Sequence, residues 1–301
     1  MGIKLGYLIP ILLILIGVQI AGTLLAIPLK ATEITAFGPA ESISNPFIYL
    51  GYVILMTAII LGLFKLGFKW FITAFFLIVV WATVFFVAST IVLQVYGNTN
   101  PTADLVALIL PVIAVLLIWK FPEWYVIDTI GFIMCAGATA VIGISFGIYP
   151  VIILLIIFAV YDAISVYKTR HMITLAEAVL NQKLPALFII PKDRSFSYIN
   201  SKTWDNLDDT KARQTYIIGM GDIIFPSTMV VSASVFLTGT KLFGLFTLPA
   251  IGAMIGSWIG LVVLQWYAVK HPQSHAGLPF LNAFTIAGFA IMYVISLITG
   301  V

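Results

Sequence analysis

The sequence has few charged residues and almost no cysteine. Only 9% of its 301 residues are charged, whereas 61% are hydrophobic, and its mean hydropathy is +1.12. Soluble domains carry roughly 25% charged residues, so an ordinary soluble domain is excluded. The one cysteine, Cys135, lies in an apolar run, which excludes an internal disulfide framework and a four-cysteine metal site. The composition predicts an all-α, multi-pass membrane protein.

Motifs for several other chemistries are also missing. The sequence contains no His-Glu-x-x-His motif of a zinc hydrolase. Its histidines, His171, His271 and His275, fall in predicted cytoplasmic loops, so a serine mechanism would lack its usual base within the membrane. A net charge of +3 is too small to indicate nucleic-acid binding. We therefore expect no metal site, no cofactor and no nucleic-acid partner.

Apolar runs long enough to cross a bilayer, about 20 residues each, occur along the whole chain. Residues 125–167 would form a helix about twice as long as the hydrocarbon core is thick, so this stretch must turn back, near Gly147–Pro150. Nine spans are predicted: 5–29, 47–64, 70–96, 103–119, two within 125–167, 215–237, 243–269 and 278–301.

One segment after the sixth span has the apolar periodicity of an interfacial helix. Its apolar residues are Met172, Leu175, Ala176, Val179 and Leu180. The predicted organisation is therefore six spans and this helix in residues 1–182, a hydrophilic loop in 183–213, and three spans in 214–301.

The positive charges predict the orientation in the membrane. With nine spans, all but two of the 15 lysine and arginine residues lie on the side of the amino terminus, and only Lys30 and Lys241 lie on the other. Cations are enriched in cytoplasmic loops. The amino terminus is therefore predicted to be cytoplasmic and the carboxyl terminus to be outside.

Four carboxylic acids lie in or near the predicted spans. Asp104 and Asp128 are within about one turn of a loop, where headgroup contact or a favourable charge at a helix start explains them. Asp162 and Asp222 lie deeper, in the cytoplasmic halves of the sixth and seventh spans, and no lysine or arginine of the spans can neutralise them. Such acids are candidates for function.

Depth alone leaves three interpretations of these two acids open. Two facing carboxyl groups in a low-dielectric site share one proton, as an aspartic protease requires. The acids could instead be unrelated and separately hydrogen-bonded, or could relay ions or protons in a transporter. No repeat relates two halves of the chain, which counts against the transporter.

The residues around the acids resemble a known family. The sixth span contains Tyr161-Asp162, the seventh contains Gly219-Met220-Gly221-Asp222, and Pro279-Phe280-Leu281 opens the last. With nine spans and a long loop between spans six and seven, this pattern resembles the presenilin and signal peptide peptidase family of intramembrane aspartyl proteases. That family has Pro-Ala-Leu where this chain has Pro279-Phe280-Leu281. An intact copy, Pro185-Ala186-Leu187, lies in the loop, and we interpret it as coincidental.

The resemblance, together with the cytoplasmic amino terminus, implies the presenilin branch, and the short termini imply a compact microbial homologue in the cell membrane. The implied activity is hydrolysis of peptide bonds within single-span membrane proteins. Asp162 and Asp222 would share a proton and activate water. The site-shaping or substrate-binding residues would be Tyr161, Gly219, Met220, Gly221, Pro279, Phe280 and Leu281.

The remaining implications concern partners and processing. The expected partners are single-span substrates and the lipid bilayer. Accessory subunits are not required by the sequence, and a homo-oligomer is compatible with it. The resemblance also implies that the loop between spans six and seven is a candidate for autocatalytic cleavage. An ion- or proton-coupled transporter using the same acids is the alternative function.

Overall fold

The computed structural model describes residues 5–31, 36, 38–97, 101–193, 195–200, 215–271 and 275–300. Ten α-helices account for most of these residues. They are α1 (Leu5–Ala31), α2 (Asn45–Lys65), α3 (Lys69–Tyr96), α4 (Pro101–Lys120), α5 (Trp124–Ser145), α6 (Ile148–Ala163), α7 (His171–Asn181), α8 (Met220–Phe236), α9 (Leu248–Lys270) and α10 (Leu278–Thr299). A π-helical turn, Ile164–Lys168, extends α6.

Seven of the described helices are long and apolar enough to cross a membrane, namely α1, α2, α3, α5, α6 with its π-helical turn, α9 and α10. The chain is therefore an integral, multi-pass membrane protein. The predicted fourth and seventh spans correspond to α4 and to the shorter apolar helix α8. The count of nine spans and the sides of the termini stay predictions.

Two short antiparallel sheets accompany the helices. In the first, β1 (Leu187–Pro191) pairs with β2 (Thr215–Gly219). In the second, β3 (Lys241–Leu242) pairs with β4 (Phe246–Thr247) ahead of α9. At the start of α9 the Thr247 hydroxyl accepts the Ala250 N–H at 3.4 Å, which satisfies one of the free donors of the helix start.

The strands correct two sequence-based boundaries. Residues 215–219 were predicted to begin the seventh span, but they form β2, and the helix starts at Met220. Part of the predicted hydrophilic loop, 183–213, forms β1. A short apolar run such as Tyr216–Ile218 fits a buried strand as well as a helix by hydropathy, and its aromatic and β-branched side chains favour the strand. Residues 201–214 of the loop, where autocatalytic cleavage was considered, lie outside the described residues.

The predicted helix after the sixth span is present as α7, and it has the expected apolar side. Val179 and Leu180 are buried. Val179 packs with Ile72 of α3 and with Leu184. The Tyr198 hydroxyl donates to the Leu180 carbonyl oxygen at 2.8 Å, so this helix also holds the segment that leads away from β1.

Helix α8 is the most enclosed part of the fold. Twelve of its 17 residues are buried, in contact with α1, α5, α6, α9 and α10. At 1.5 Å per residue it is only about 25 Å long. Because neighbouring helices cover it on most sides, it has little contact with lipid and tolerates Ser227, Thr228, Ser232 and Ser234, which bond to nearby carbonyl oxygens.

Polar side chains connect α1 to α9. Gln19 Nε2 donates to Ser257 Oγ at 2.8 Å, and Trp258 Nε1 donates to Gln19 Oε1 at 2.9 Å. Gln19 is fully buried. Such bonds between helices stabilise membrane bundles in the absence of a hydrophobic driving force from water.

Helices α9 and α10 pack closely because glycines line their contact. A Cβ atom on Gly256 would collide with the Phe284 carbonyl oxygen, and one on Gly252 would collide with that of Gly288. At Gly260 the nearest atom to such a Cβ is the Phe280 carbonyl oxygen, 3.0 Å away. Small residues at these positions let two helix backbones approach each other. Since α10 carries Pro279 to Leu281, this packing fixes the start of α10 within the bundle.

We predict that Gly256→Ala destabilises the protein, because the new methyl group meets backbone atoms that cannot rotate away. The expected loss of unfolding free energy is about 2 kcal/mol, measured as a lower midpoint of thermal unfolding in detergent. Gly51→Ala in α2 is the matched control, since no atom lies within 4 Å of its Cβ position. An equal loss in both variants would contradict the packing argument.

Candidate active site

Asp162 lies in the last turn of α6, immediately before the π-helical turn. Its side chain is buried, with 7% of the residue exposed. The Ser165 hydroxyl donates to the Asp162 carbonyl oxygen at 2.9 Å, which satisfies a backbone acceptor where the helix widens. A π-helical turn re-aims the side chains on either side of it and often occurs at functional sites.

Asp222 is the third residue of α8, and Gly219 is the N-cap. The Asp222 carboxyl accepts the Gly219 N–H, as the acid at this position does in a capping box. Strand β2 ends at the same Gly219. The Gly219–Asp222 motif is therefore a strand-to-helix junction whose acid is fixed by its own helix start, where backbone N–H groups favour negative charge.

The segment that enters α10 contacts both acids. The Leu278 N–H donates to Asp162 Oδ2 at 3.1 Å, and the Gly277 N–H also faces this carboxyl. A Cβ atom on Gly277 would lie 2.8 Å from Asp222 Cγ and 2.9 Å from both of its carboxylate oxygens. The two carboxyl groups are close enough to interact electrostatically. Helices α6, α8 and α10 thus bring Asp162 and Asp222 together at one point.

The surroundings of the pair are mostly apolar. Phe158 and Phe225 stack with ring centroids 4.2 Å apart, and both belong to the buried cluster that includes Leu278. Asp222 is partly exposed, whereas Asp162 is buried. The site therefore places the two carboxyl groups against a low-dielectric wall.

Tyr161 connects α6 to α7. Its hydroxyl forms a hydrogen bond with His171 Nε2 at 3.3 Å, and its ring contacts Phe158 edge-on. Burial lowers the pKa of His171, which favours the neutral ring that can share this bond. The sequence placed His171 in a loop without a role, but it lies at the start of α7 and holds the neighbour of Asp162.

Met220 and Gly221 lie on opposite sides of the junction. The end of the Met220 side chain occupies the space that a Cβ on Gly131 of α5 would take. A Cβ on Gly221 would contact only the Phe225 ring, at 3.6 Å, so space remains beside Asp222.

The residues predicted at the start of the last span differ in exposure. Pro279 and Phe280 are partly buried, and the Phe280 ring lies 5.4 Å from the Tyr267 ring. Leu281 is fully buried with Ile223 in a core cluster. Leu281 can therefore shape the site only through packing, whereas Pro279 and Phe280 keep exposed surface.

The second Pro-Ala-Leu copy, which we interpreted as coincidental, lies next to the Gly219–Asp222 junction. Leu187 is paired with Gly219 in the sheet, and the Ala186 carbonyl oxygen accepts the Met220 N–H at 3.2 Å. The copy appeared remote because it lies in a loop, but strand pairing brings it against the Gly219–Asp222 junction.

Sequence reasoning missed three further residues of the site. Gly277 and Leu278 precede the predicted motif and touch the acids directly. The Tyr167 hydroxyl, in the π-helical turn, accepts the Ala276 N–H at 3.3 Å and so helps to hold the same segment. A glycine two residues before a proline at a helix start was the available signal for a close approach.

Comparisons with known proteins identify the family of the chain. A family model described as signal-peptide peptidase, presenilin aspartyl protease matches residues 11–298. Two crystal structures of a presenilin family intramembrane aspartate protease are similar to the chain. The one in space group C222 has a TM-score of 0.71 and 35% identity, covering 96% of this chain and 99% of that one. The one in space group P2 has a TM-score of 0.68 and 35% identity, with coverage of 94% and 96%.

Comparison with curated proteins gave no match. The family model spans nearly the whole chain, and the similarity to the two crystal structures extends over almost the full length of both partners. The resemblance seen in the sequence is confirmed: the chain belongs to the signal-peptide peptidase and presenilin family, and it is an intramembrane aspartyl protease.

Proposed function

We propose that this protease hydrolyses peptide bonds in the transmembrane segments of single-span proteins and that Asp162 and Asp222 are its catalytic pair. The observation that carries the proposal is the convergence of both carboxyl groups on the Gly277–Leu278 backbone. Two carboxyl groups this close in an apolar site share one proton. The pair then contains one acid and one base at the same time.

The shared proton defines the reaction steps. The ionised carboxyl takes a proton from a water molecule, whose oxygen attacks the carbonyl carbon of the scissile bond. The protonated carboxyl gives its proton to the carbonyl oxygen, which yields a tetrahedral diol. When the C–N bond breaks, the protonated carboxyl gives its proton to the leaving nitrogen, and one diol hydroxyl returns a proton to the ionised carboxyl. The products are a new carboxyl terminus and a new amine, and the pair again shares one proton. No metal or organic cofactor takes part in these steps.

An extended substrate backbone fits the surroundings of the pair. A helical substrate satisfies its peptide groups internally, so it must unwind before water can reach a carbonyl carbon. Ile217 directs its N–H and C=O groups to the edge of β2 that no other strand covers within the described residues. An unwound segment can pair with that edge and pass Gly221, with Pro279 and Phe280 on its other side.

The topology of the proposal is nine spans with a cytoplasmic amino terminus and an external carboxyl terminus. It rests on the unequal distribution of lysine and arginine. In this orientation Asp162 and Asp222 both lie toward the cytoplasmic side, because α6 ends and α8 begins there. Water then reaches the pair from the cytoplasm and the substrate enters from the bilayer. For a compact microbial homologue this bilayer is the cell membrane.

We predict that Asp162→Asn and Asp222→Asn each abolish cleavage of a single-span reporter by purified protein in detergent. An amide can neither take the water proton nor supply one, so each change should reduce the rate at least about a thousandfold. Asp104→Asn, which changes an exposed acid of α4, is the matched control and should cleave normally. Cleavage that survives in either of the first two variants would reject the shared-proton mechanism.

We also predict that Gly277→Ala reduces cleavage without unfolding the protein. The φ angle of Gly277 is −82°, which any residue can adopt, so the cost arises only from the new Cβ atom against the Asp222 carboxyl. Displacing a catalytic group by a fraction of an ångström to one ångström costs up to about a hundredfold in rate. Gly62→Ala, with open space at its Cβ position, serves as the control for reporter cleavage and thermal stability. A normal rate in Gly277→Ala would show that this contact is not needed.

A further inference from the structure

The cytoplasmic end of α5 carries two acids that hold the chain between α7 and α8. Glu123 accepts the Ser197 hydroxyl and the Tyr198 N–H, both at 2.7 Å. Asp128, one and a half turns further along, accepts the Ile189 N–H of β1 at 2.9 Å. The sequence suggested only a headgroup contact or a helix-start charge for Asp128, yet its carboxyl bonds to a strand.

The register of the sheet explains why this bond is available. Residues of an antiparallel pair alternate between bonding to the partner strand and pointing away from it. The Met220 N–H bonds to the Ala186 carbonyl oxygen, so Phe188 and Ile190 bond to β2 and Ile189 points away. Asp128 therefore binds the outer edge of β1, and β2 keeps its own outer edge for another strand.

Helix α5 holds the sheet at two further points on the same side. Gly131, three residues after Asp128, leaves the space that the Met220 side chain fills. Cys135, four residues later, has its sulfur 4.0 Å from the Met220 carbonyl oxygen. Residues three, four and seven apart share one side of a helix. Asp128, Gly131 and Cys135 thus form a continuous support under β1 and the Gly219–Asp222 junction.

A displaced sheet would change which peptide bond meets the acids. Sliding a strand by one residue turns every side chain to the opposite face, and β2 leads into Asp222 through Gly219 without a loop. Within the described residues, the hydrogen bond from the Ile189 N–H to Asp128 connects this side of α5 to the β1 backbone. Its carboxyl oxygen therefore determines how far β1, β2 and a paired substrate extend toward the catalytic pair.

We propose that Asp128 is a positioning residue of this protease. Its carboxyl oxygen fixes the position of the β1–β2 sheet relative to the catalytic pair and thereby selects the peptide bond that is cleaved. The inference rests on the proposed function of Asp162 and Asp222. It requires an acceptor at the position of Asp128 Oδ1 and does not require a negative charge there.

Two substitutions separate the acceptor from the charge. Asp128→Asn keeps a carbonyl oxygen at the same position and removes the charge. Asp128→Glu keeps the charge and moves the oxygen by one methylene group. With purified full-length protein and a single-span reporter, product masses give the cleavage positions and initial rates give kcat/KM.

We expect Asp128→Asn to cleave at the wild-type positions with kcat/KM within about twofold of wild type. We expect Asp128→Glu to shift the main cleavage position by at least one residue, or to spread it over several, and to lower kcat/KM about tenfold, the loss expected when one hydrogen bond is misplaced. Glu123→Asp moves the neighbouring acceptor by one methylene group in the opposite direction, and its partners are Ser197 and Tyr198 and not β1. It should keep the wild-type cleavage positions.

The reverse pattern would overturn the proposal. Three results would each assign Asp128 a different role. The first is a folded Asp128→Glu variant that cleaves at the wild-type positions, and the second is a folded Asp128→Asn variant that cleaves at other positions. The third is an equal shift of the cleavage position in Glu123→Asp. If Asp128→Glu does not fold, as judged by thermal unfolding, Asp128→Ala replaces it with the same expected shift. Failure of this proposal can be distinguished from failure of the proposed function. If the proposed function is wrong, Asp162→Asn or Asp222→Asn still cleaves the reporter, whatever the result for the Asp128 variants.

Discussion

The site depends on one contact, in which the backbone at Gly277 and Leu278 lies against two carboxyl groups from different helices. Leu278 donates its N–H to Asp162, and the missing side chain of Gly277 leaves room for Asp222. The two carboxyl groups meet at one residue, since both lie against Gly277. The close packing of α9 and α10 matters for function because it holds the chain that makes this contact.

Asp222 is held in addition by its place in secondary structure. It stands three residues into α8 and bonds to the N–H of the N-cap Gly219, where the last residue of β2 meets the helix. One short motif therefore ends a strand, caps a helix and presents a carboxyl group. Beside this motif, a Cβ atom on Gly221 would meet only the Phe225 ring, so space remains next to the carboxyl group.

The sequence predicted the helices and drew attention to both acids. Long apolar runs, and carboxyl groups without a nearby lysine or arginine, can be recognised from the order of residues alone. It did not predict β2, since an apolar strand directly before a short helix has the hydropathy of a span, and it did not predict β1, which lies in the predicted hydrophilic loop. Gly277 and Leu278 were missed because their contact with Asp162 joins residues that are 116 positions apart. Asp128 was assigned only a headgroup contact or a helix-start charge for the same reason, because its partner, Ile189, lies 61 positions away.

The pH dependence of kcat/KM for a single-span reporter tests the central claim most directly. The proposed reaction requires that one of the two carboxyl groups, Asp162 or Asp222, is protonated and that the other is ionised. The account predicts a bell-shaped profile with two apparent pKa values that belong to the pair. Activity would fall on the acid side when both carboxyls are protonated and on the alkaline side when neither is. A profile with a single limb, or one that is flat, would contradict it.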